Sequence, residues 1–409
     1  MTKTMTKTLV AENNEAVVLT EEVEAQDGIS RIGIMTLNSP QTMNAVDLSM
    51  VNMIDDILAR WKSDENIVAI IMTGAGDRAF SAGGDIRQIY NSVMQEGDNH
   101  LKYADAFFTQ EYSKNYRVHL VGKPLIAWGN GFVMGGGLGL FIGANHKVGT
   151  ENLKLAWPEI RIGLFPDVVG TYYLSRLPFP IGHWMGLTGC QMNAVDCKDV
   201  GLTNYCIEND GLDFLIAELC HKPWQKNKAM NNQFVREVLT GLETQSSMEF
   251  PPSNIDKCRE DINSIFDGLE IKDTASFESN KNDLVTIHNR FKAADIDESS
   301  CDESRIDKSW FTRGKETFLS GCPATAHLIM KQLQFGNKMT LKEVITWELG
   351  VALQSVRHPD FAEGVRSVVV DKDGLPKWQH DSVADVPEDW VDELLTPLWP
   401  REEHPFYNL

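Results

Sequence analysis

A chain of 409 residues is long for one domain and fits two, and a hydrophobic fraction of 42% is enough for a substantial core. The formal net charge of -20 argues against general binding to nucleic acid or to an anionic membrane surface, because both demand a basic excess. The seven cysteines, Cys301 among them, include no C-x-x-C pair, which is typical of reduced structural thiols in an intracellular protein.

Residues 1–15 lack the apolar core of a secretory signal, and no later segment has the run of about 20 apolar residues that spans a bilayer. We therefore expect a soluble protein. The alternative for this segment is a weak organelle-targeting presequence, but it carries no arginine and turns acidic at Glu12. A disordered tail is the better interpretation.

Residues 17–208 alternate short β-branched runs with helical patterns. Residues 29–38 read as a strand, and a helix with one apolar face follows Asp47 as its cap. Residues 67–72, IVAIIM, form the continuous apolar run of a buried strand. Further helices are predicted after Asp85 and over roughly 101–119, and PLIAW (124–128) is a further strand. The pattern predicts an α/β fold with mostly parallel pairing.

The character of the chain changes after about residue 225. Beyond that point strand signals are few, amphipathic acidic helix signals are many, and TQSSMEFPPSNID (244–256) is a Pro/Ser break. The composition predicts a catalytic domain over residues 1–225 and a mainly helical domain over residues 226–409.

Two glycine-rich turns, FSAGGDIRQI (80–89) and GNGFVMGGGLGL (129–140), each lie between a predicted strand and a predicted helix. Two backbone N–H groups that converge at such helix N-termini would form an oxyanion hole. Ordinary turn geometry is the alternative for each turn taken alone. Neither turn matches a dinucleotide or Walker pattern, which disfavours NAD chemistry and nucleotide hydrolysis.

The segment WPEIRIGLFPDVVG (157–170) sets Glu159 and Asp167 eight residues apart. Each follows a proline, so Glu159 could simply occupy a first helical turn and Asp167 could be an N-cap. Glu111 on its amphipathic helix would ordinarily face solvent. Ser81 does not lie in a nucleophile elbow, since the G-x-S-x-G motif is absent. The histidines are dispersed along the chain, so the sequence predicts no metal site.

Several motifs together resemble the crotonase (enoyl-CoA hydratase/isomerase) superfamily. They are collinear and comprise LNSPQTMNAVD (37–47), AGGDI (82–86), NGFVMGGGLGL (130–140), PEIRIGLFPDVVGTYYLSRL (158–177) and QMNAVDCKDVGL (191–202). Within it, GLFPDVVG (163–170), FFTQEYSKN (107–115) and HPDFAEGVRSVVVDKDGLPKW (358–378) are similar to the 3-hydroxyisobutyryl-CoA hydrolase family. The resemblance implies a spiral of ββα turns with a helical extension.

The resemblance also implies roles for particular residues. Carried over by position, the two oxyanion-hole donors fall on Gly84 and Gly136, the catalytic glutamate on Glu159 and an additional acid on Asp167. Glu111 matches a further acid that contacts substrate.

For coenzyme A, the resemblance implies that backbone around residues 41–45 and 84–87 holds the ligand. The residues in question are Ala45, Asp85, Ile86 and Arg87. Arg87 and Lys123 are candidate local cations, and surface roles fit them equally well. No separate cofactor is expected, because coenzyme A is part of the substrate.

Gly139 departs from the hydratase pattern, in which a second glutamate stands at this position. A hydratase without one of its paired carboxylates should be badly impaired, because general acid and general base each contribute on the order of a hundredfold or more. The resemblance to the hydrolase family implies the predicted activity, which is hydrolysis of a 3-hydroxyacyl-CoA thioester, 3-hydroxyisobutyryl-CoA in valine catabolism. The alternatives are an enoyl-CoA hydratase or isomerase, and a non-catalytic assembly subunit.

The sequence leaves the oligomeric state open, from a monomer to a crotonase-like trimer or hexamer. It also leaves the compartment open: cytoplasm for a bacterial protein, and a mitochondrial or peroxisomal matrix for a eukaryotic one. Beyond the acyl-CoA substrate, no nucleic acid or membrane partner is expected.

Overall fold

The computed structural model describes residues 8–9, 16–97, 100–269, 275–294 and 308–409. Thr8–Leu9 is a short strand, β1, so this part of the expected disordered tail is ordered by pairing with the next strand. The rest of that segment, residues 1–7 and 10–15, lies outside the described residues, as does Cys301. The other six cysteines have free thiols, as the spacing of the cysteines predicts.

The main sheet has seven strands in the order β1-β2-β3-β4-β6-β8-β10. The pairs β1–β2 and β2–β3 are antiparallel, and the four pairs that follow are parallel, which confirms the predicted pairing. The strands after β1 are β2 Val18–Glu24, β3 Arg31–Leu37, β4 Ile67–Gly74, β6 Leu125–Gly129, β8 His146–Gly149 and β10 Tyr205–Cys206.

A second sheet of three strands has the order β5-β7-β9, with β5 Ala79–Ser81, β7 Phe132–Met134 and β9 Lys154–Ala156. Each successive turn of chain gives one strand to each sheet, first β4 and β5, then β6 and β7, then β8 and β9. A helix follows the first two of these strand pairs: α2 (Ile86–Val93) after β5 and α4 (Gly135–Ile142) after β7. This repeat is the ββα spiral that was expected.

Local signals explain why these elements form where they do. The first six residues of β4 are all buried, as the apolar run predicts. Helix α1, Leu48–Ser63, begins at Asp47, whose carboxylate accepts the Met50 N–H at 2.8 Å. Asp85 caps α2 in the same way through the Gln88 N–H.

Contacts divide the chain into two compact units, and each unit is built from three stretches of sequence. Unit 1 comprises Met1–Gly84, Lys114–Leu155 and Met192–Pro252; unit 2 comprises Asp85–Ser113, Ala156–Gln191 and Ser253–Leu409. The domain boundary predicted between residues 225 and 226 was based on composition, and it does not coincide with the boundaries of these units. Helix α9 (Lys228–Gln245) lies beyond it, yet Val235, Val238 and Leu239 of that helix pack in one core cluster with the main sheet.

Unit 2 is mainly helical and has its own core. Trp184 stacks on Phe311 with ring centroids 4.9 Å apart, and Phe291 and Trp310 pack around the same indole. Across both units, the remaining α-helices of the described residues are α3 Lys102–His119, α5 Gly170–Leu174, α6 Ile181–Thr188, α7 Ala194–Asp199, α8 Gly211–Cys220, α10 Asn254–Lys257, α11 Arg259–Phe266, α12 Phe277–Ala293, α13 Lys308–Ser320, α14 Pro323–Phe335, α15 Leu341–Ser355, α16 Pro359–Val365 and α17 Glu388–Leu395.

Candidate active site

The two glycine turns of unit 1 meet. A side chain on Gly83, whose φ is +112°, would begin 3.3 Å from the Met134 carbonyl oxygen and 3.7 Å from the Gly136 nitrogen. Gly136 is the second residue of α4, and an N–H at that position has no acceptor within its own helix. The Ser81 hydroxyl accepts the Gly83 N–H at 3.3 Å inside this packing, which gives Ser81 a structural role.

The loop that contains Ala45 is fixed to the first glycine turn. The Val46 N–H donates to the Gly83 carbonyl at 2.8 Å, and Val46 forms a parallel bridge with Gly84. The buried Asn44 has a φ of +55°, and its amide nitrogen donates to the carbonyls of Ala75 and Ala79 at 3.0 and 2.9 Å. Ala45 and Gly84 therefore lie on segments that are held together by backbone hydrogen bonds.

Glu159 in unit 2 opens the short 3-10 helix Glu159–Ile162, but its side chain does not cap that helix. The carboxyl group is buried, and its Oε2 atom has no hydrogen-bond partner among the residues that the structure describes. Buried carboxyl oxygens are normally satisfied, and an exception calls for an explanation. Glu159 therefore does occupy a first helical turn, as the local sequence suggests, and that position leaves its buried Oε2 atom without a partner among the described residues.

Asp167 is buried as well, and it is not the N-cap of a helix. Helix α5 begins at Gly170 behind Val169, and no side chain caps it. The Asp167 Oδ2 atom instead accepts a hydrogen bond from the Tyr112 hydroxyl. Val168 and Val169 follow with φ of +50° and +68°, a left-handed conformation that costs a β-branched residue about 1–3 kcal/mol.

Glu111 is buried in unit 2, at 2% exposure, rather than on the solvated face that an amphipathic helix would ordinarily give it. It lies on α3 next to Tyr112, the donor to Asp167. The structure thus brings three predicted acids, Glu111, Glu159 and Asp167, into electrostatic contact.

Burial dominates the electrostatics of this cluster. It raises the pKa of Glu159 well above its ordinary value, and the charges of Asp167, Glu348 and Glu111 raise it further. Burial also raises the pKa of Asp167 from 3.8 to about 7, against the opposing hydrogen bond from Tyr112. A carboxyl group whose pKa approaches neutrality can accept a proton at physiological pH, which is what a general base requires.

The remaining predicted contacts have local structural partners. The Arg87 guanidinium donates to the Val369 carbonyl at 2.6 Å. The Asp85 carboxylate accepts a hydrogen bond from the Gln88 side-chain amide at 2.7 Å, and Ile86 is the first residue of α2. The Lys123 ammonium donates to the carbonyls of Trp61 and Asp64 at the end of α1, which is a structural role.

Three residues around these acids were not predicted from the sequence: Tyr112, Glu348, and Gln332, whose amide nitrogen donates to the Pro166 carbonyl next to Asp167. Glu348 lies among Val344, Ile345, Leu349, Val351 and Ala352 on the buried face of α15. An acid on an otherwise apolar helix face was the signal that could have identified it. Glu348 is fully buried and accepts the N–H groups of Val169 and Thr171.

Among the described residues, no three His, Cys, Asp or Glu side chains are placed to hold a metal ion. Within the same ranges, no helix is both long and apolar enough to cross a membrane.

A ββα spiral, glycine turns at a helix N-terminus and a buried glutamate define a crotonase-type acyl-CoA protein. The chain belongs to the enoyl-CoA hydratase/isomerase family, which matches residues 32–395. Its relatives include the mitochondrial 3-hydroxyisobutyryl-CoA hydrolases of Homo sapiens, at 32% identity over 90% of this chain and 86% of the relative, and of Xenopus laevis, at 31% identity over 90% and 88%.

Two solved structures match almost the whole chain. An enoyl-CoA hydratase from Rhodobacter sphaeroides has a TM-score of 0.73 and 27% identity and covers 94% of this chain and 98% of its own. A carnitinyl-CoA dehydratase from Mycobacterium thermoresistibile also has a TM-score of 0.73, with 26% identity and coverage of 92% and 96%. The expected fold is therefore confirmed through the helical region.

Proposed function

We propose that the chain hydrolyses the thioester of a 3-hydroxyacyl-CoA, with 3-hydroxyisobutyryl-CoA as the substrate, and releases 3-hydroxyisobutyrate and CoA in valine catabolism. The support comes from curated relatives of that name, which match over 90% of this chain. The matched length includes the helical region as well as the spiral. The chain is therefore an enzyme of thioester hydrolysis, and its predicted substrate is an acyl-CoA.

The proposed chemistry follows the roles that the family resemblance implies for the glycine turns and for Glu159. The N–H groups of Gly84 and Gly136 polarise the thioester oxygen and stabilise the negative charge of the tetrahedral intermediate, at about 3 kcal/mol for one donor. Collapse of that intermediate breaks the C–S bond and expels CoA thiolate, which then takes up a proton. A thiolate leaves readily, so this step needs no strong acid.

Glu159 can act by either of two routes. As a general base it takes a proton from the water that attacks the carbonyl carbon. As a nucleophile it attacks that carbon itself and forms a mixed anhydride, which water then hydrolyses. Asp167 and Glu111 are the proposed partners that orient the 3-hydroxyl group and the water.

One observation carries the assignment of Glu159. Its Oε2 atom is buried and has no hydrogen-bond partner among the described residues, while burial and neighbouring acids raise the pKa of the same carboxyl. A carboxyl group with a purely structural role would normally have a hydrogen-bond partner to offset the cost of its burial. A catalytic carboxyl group, by contrast, uses the raised pKa that burial produces.

A hydratase is the second candidate, because the two solved structures with a TM-score of 0.73 are titled a hydratase and a dehydratase. Gly139 argues against it, since this buried position of α4 carries no carboxylate. Loss of crotonyl-CoA double-bond absorbance at a rate that rivals thioester cleavage would favour the hydratase.

The experiment measures thiol release from 3-hydroxyisobutyryl-CoA, 3-hydroxypropionyl-CoA and crotonyl-CoA. We expect the first to be cleaved fastest, and we expect Glu159→Gln to abolish its cleavage. Glu218→Gln, on the exposed face of α8, is the matched control and should retain wild-type turnover. Acyl-CoA binding without cleavage across the panel would instead support a non-catalytic subunit.

The curated relatives are named as mitochondrial enzymes. We accordingly propose a mitochondrial location if this chain comes from a eukaryote and a cytoplasmic one if it is bacterial, with the peroxisome as the eukaryotic alternative.

A further inference from the structure

We propose that Glu348 and Gln332, two fully buried residues of the helical region, are positioning residues that hold the loop around Asp167 in its working conformation. The inference rests on the proposed hydrolase function. It assigns to helices α14 and α15 an indirect part in the reaction, through the Asp167 loop, because each helix supplies one of the two side chains.

Glu348 spans the turn that follows Asp167. Its Oε2 atom accepts the Val169 N–H at 2.8 Å, and its Oε1 atom accepts the Thr171 N–H at 3.0 Å. An ionised carboxylate offers two acceptor oxygens and no donor, so it suits two backbone N–H groups that point the same way. The corresponding amide would present its NH₂ to one of these donors.

Gln332 holds the same loop from another helix. Its amide nitrogen donates to the Pro166 carbonyl, one residue before Asp167, and to the Thr171 hydroxyl at 2.8 Å. Asp167 is therefore bracketed by side-chain hydrogen bonds on both flanks.

The loop needs such support because its backbone is strained. Val168 and Val169 both have left-handed φ values, which β-branched residues rarely adopt. Strained conformations persist only where the surroundings over-determine them, and they cluster at functional sites. The four hydrogen bonds made by Glu348 and Gln332 stabilise this strained backbone and thereby fix the orientation of the Asp167 carboxylate.

Glu348 also belongs to the electrostatic cluster. The groups that act with it are Asp167 on the loop, Glu159 on the 3-10 helix, and Glu111 and Tyr112 on α3. Burial raises the pKa of Glu348 to about 8, against the opposing hydrogen bonds from the N–H groups of Thr171 and Val169, which favour the ionised form. The ionised carboxylate in turn raises the pKa of Glu159.

The test compares wild type, Glu348→Gln, Gln332→Met and the control Ser355→Ala. Ser355 is a buried polar residue of α15 whose hydroxyl donates to the Val351 carbonyl of its own helix at 2.8 Å. The substrate is 3-hydroxyisobutyryl-CoA. We expect kcat to fall at least about tenfold in both loop variants with KM within about threefold, since orientation and not binding is lost. Ser355→Ala should match wild type.

A further readout distinguishes positioning from a general loss of structure. Hydrogen–deuterium exchange of residues 166–171 should rise in both loop variants and not in Ser355→Ala. If Glu348→Gln does not fold, Gln332→Met decides by the same kcat and exchange criteria.

The outcomes separate this inference from the proposed function. A wild-type protein that cleaves no thioester refutes the hydrolase, and the exchange measurement then still tests whether the two residues hold the loop. A wild-type protein that cleaves the thioester, with both loop variants equal to Ser355→Ala in kcat and exchange, overturns the inference.

Discussion

Replacement of Asp167 by asparagine should stabilise the fold at alkaline pH and impair the reaction. In the folded protein burial raises the pKa of Asp167 from 3.8 to about 7. An acid whose folded pKa lies above its unfolded value contributes stability that is fully present below the unfolded pKa and is lost as pH rises through the folded pKa. The difference of about three pH units corresponds to about 4 kcal/mol, reached above pH 7.

Between pH 5 and pH 8 the wild type should therefore lose about 3 kcal/mol through Asp167, a loss that Asp167→Asn avoids. Asparagine keeps an oxygen for the Tyr112 hydroxyl, so the loop retains its hydrogen bond. The assay is urea unfolding of wild type, Asp167→Asn and the exposed control Asp56→Asn at both pH values. A free-energy difference between Asp167→Asn and wild type that is the same at pH 5 and pH 8 would refute the reasoning.

Other substitutions test the neighbouring contacts. Tyr112→Phe removes the hydrogen bond that lowers the pKa of Asp167, so that pKa should rise, and the loss of unfolding free energy through Asp167 should begin at higher pH than in wild type; an unchanged pH dependence in urea unfolding would contradict the electrostatic role of this bond. Gly137→Ala would place a Cβ atom 2.4 Å from the Ser81 side chain and should cost about 1–3 kcal/mol in thermal unfolding. Gly241→Ala in α9 meets nothing within 4 Å and should stabilise by up to about 1 kcal/mol, so equal effects of the two glycine variants would contradict the packing.

Local signals predicted the elements of the spiral well. The apolar run 67–72 lies within strand β4 (Ile67–Gly74), and the helix expected over 101–119 is Lys102–His119. Helix starts were equally readable, because Asp47 and Asp85 cap their helices by contacts three residues along the chain. Such signals depend on sequence neighbours alone.

The acid cluster was predictable only in part. Glu159 and Asp167 were identified by resemblance. Their local context predicted a first-turn acid, which Glu159 is, and an N-cap, which Asp167 is not. Glu348 lies 179 residues from Val169 in the chain, and a contact at that separation produces no pattern in the local sequence. The compact units escaped prediction for the same reason, since Val235 and Val238 of α9 pack with the sheet by tertiary contact alone.

Thiol release from 3-hydroxyisobutyryl-CoA, measured side by side for wild type and Glu159→Gln, tests the central claim most directly. The account predicts that wild type releases CoA, that the variant loses at least a hundredfold of this activity, and that the variant unfolds no more easily than wild type. Near-normal turnover in a folded Glu159→Gln protein would contradict the assignment of Glu159 as the residue that performs the chemistry.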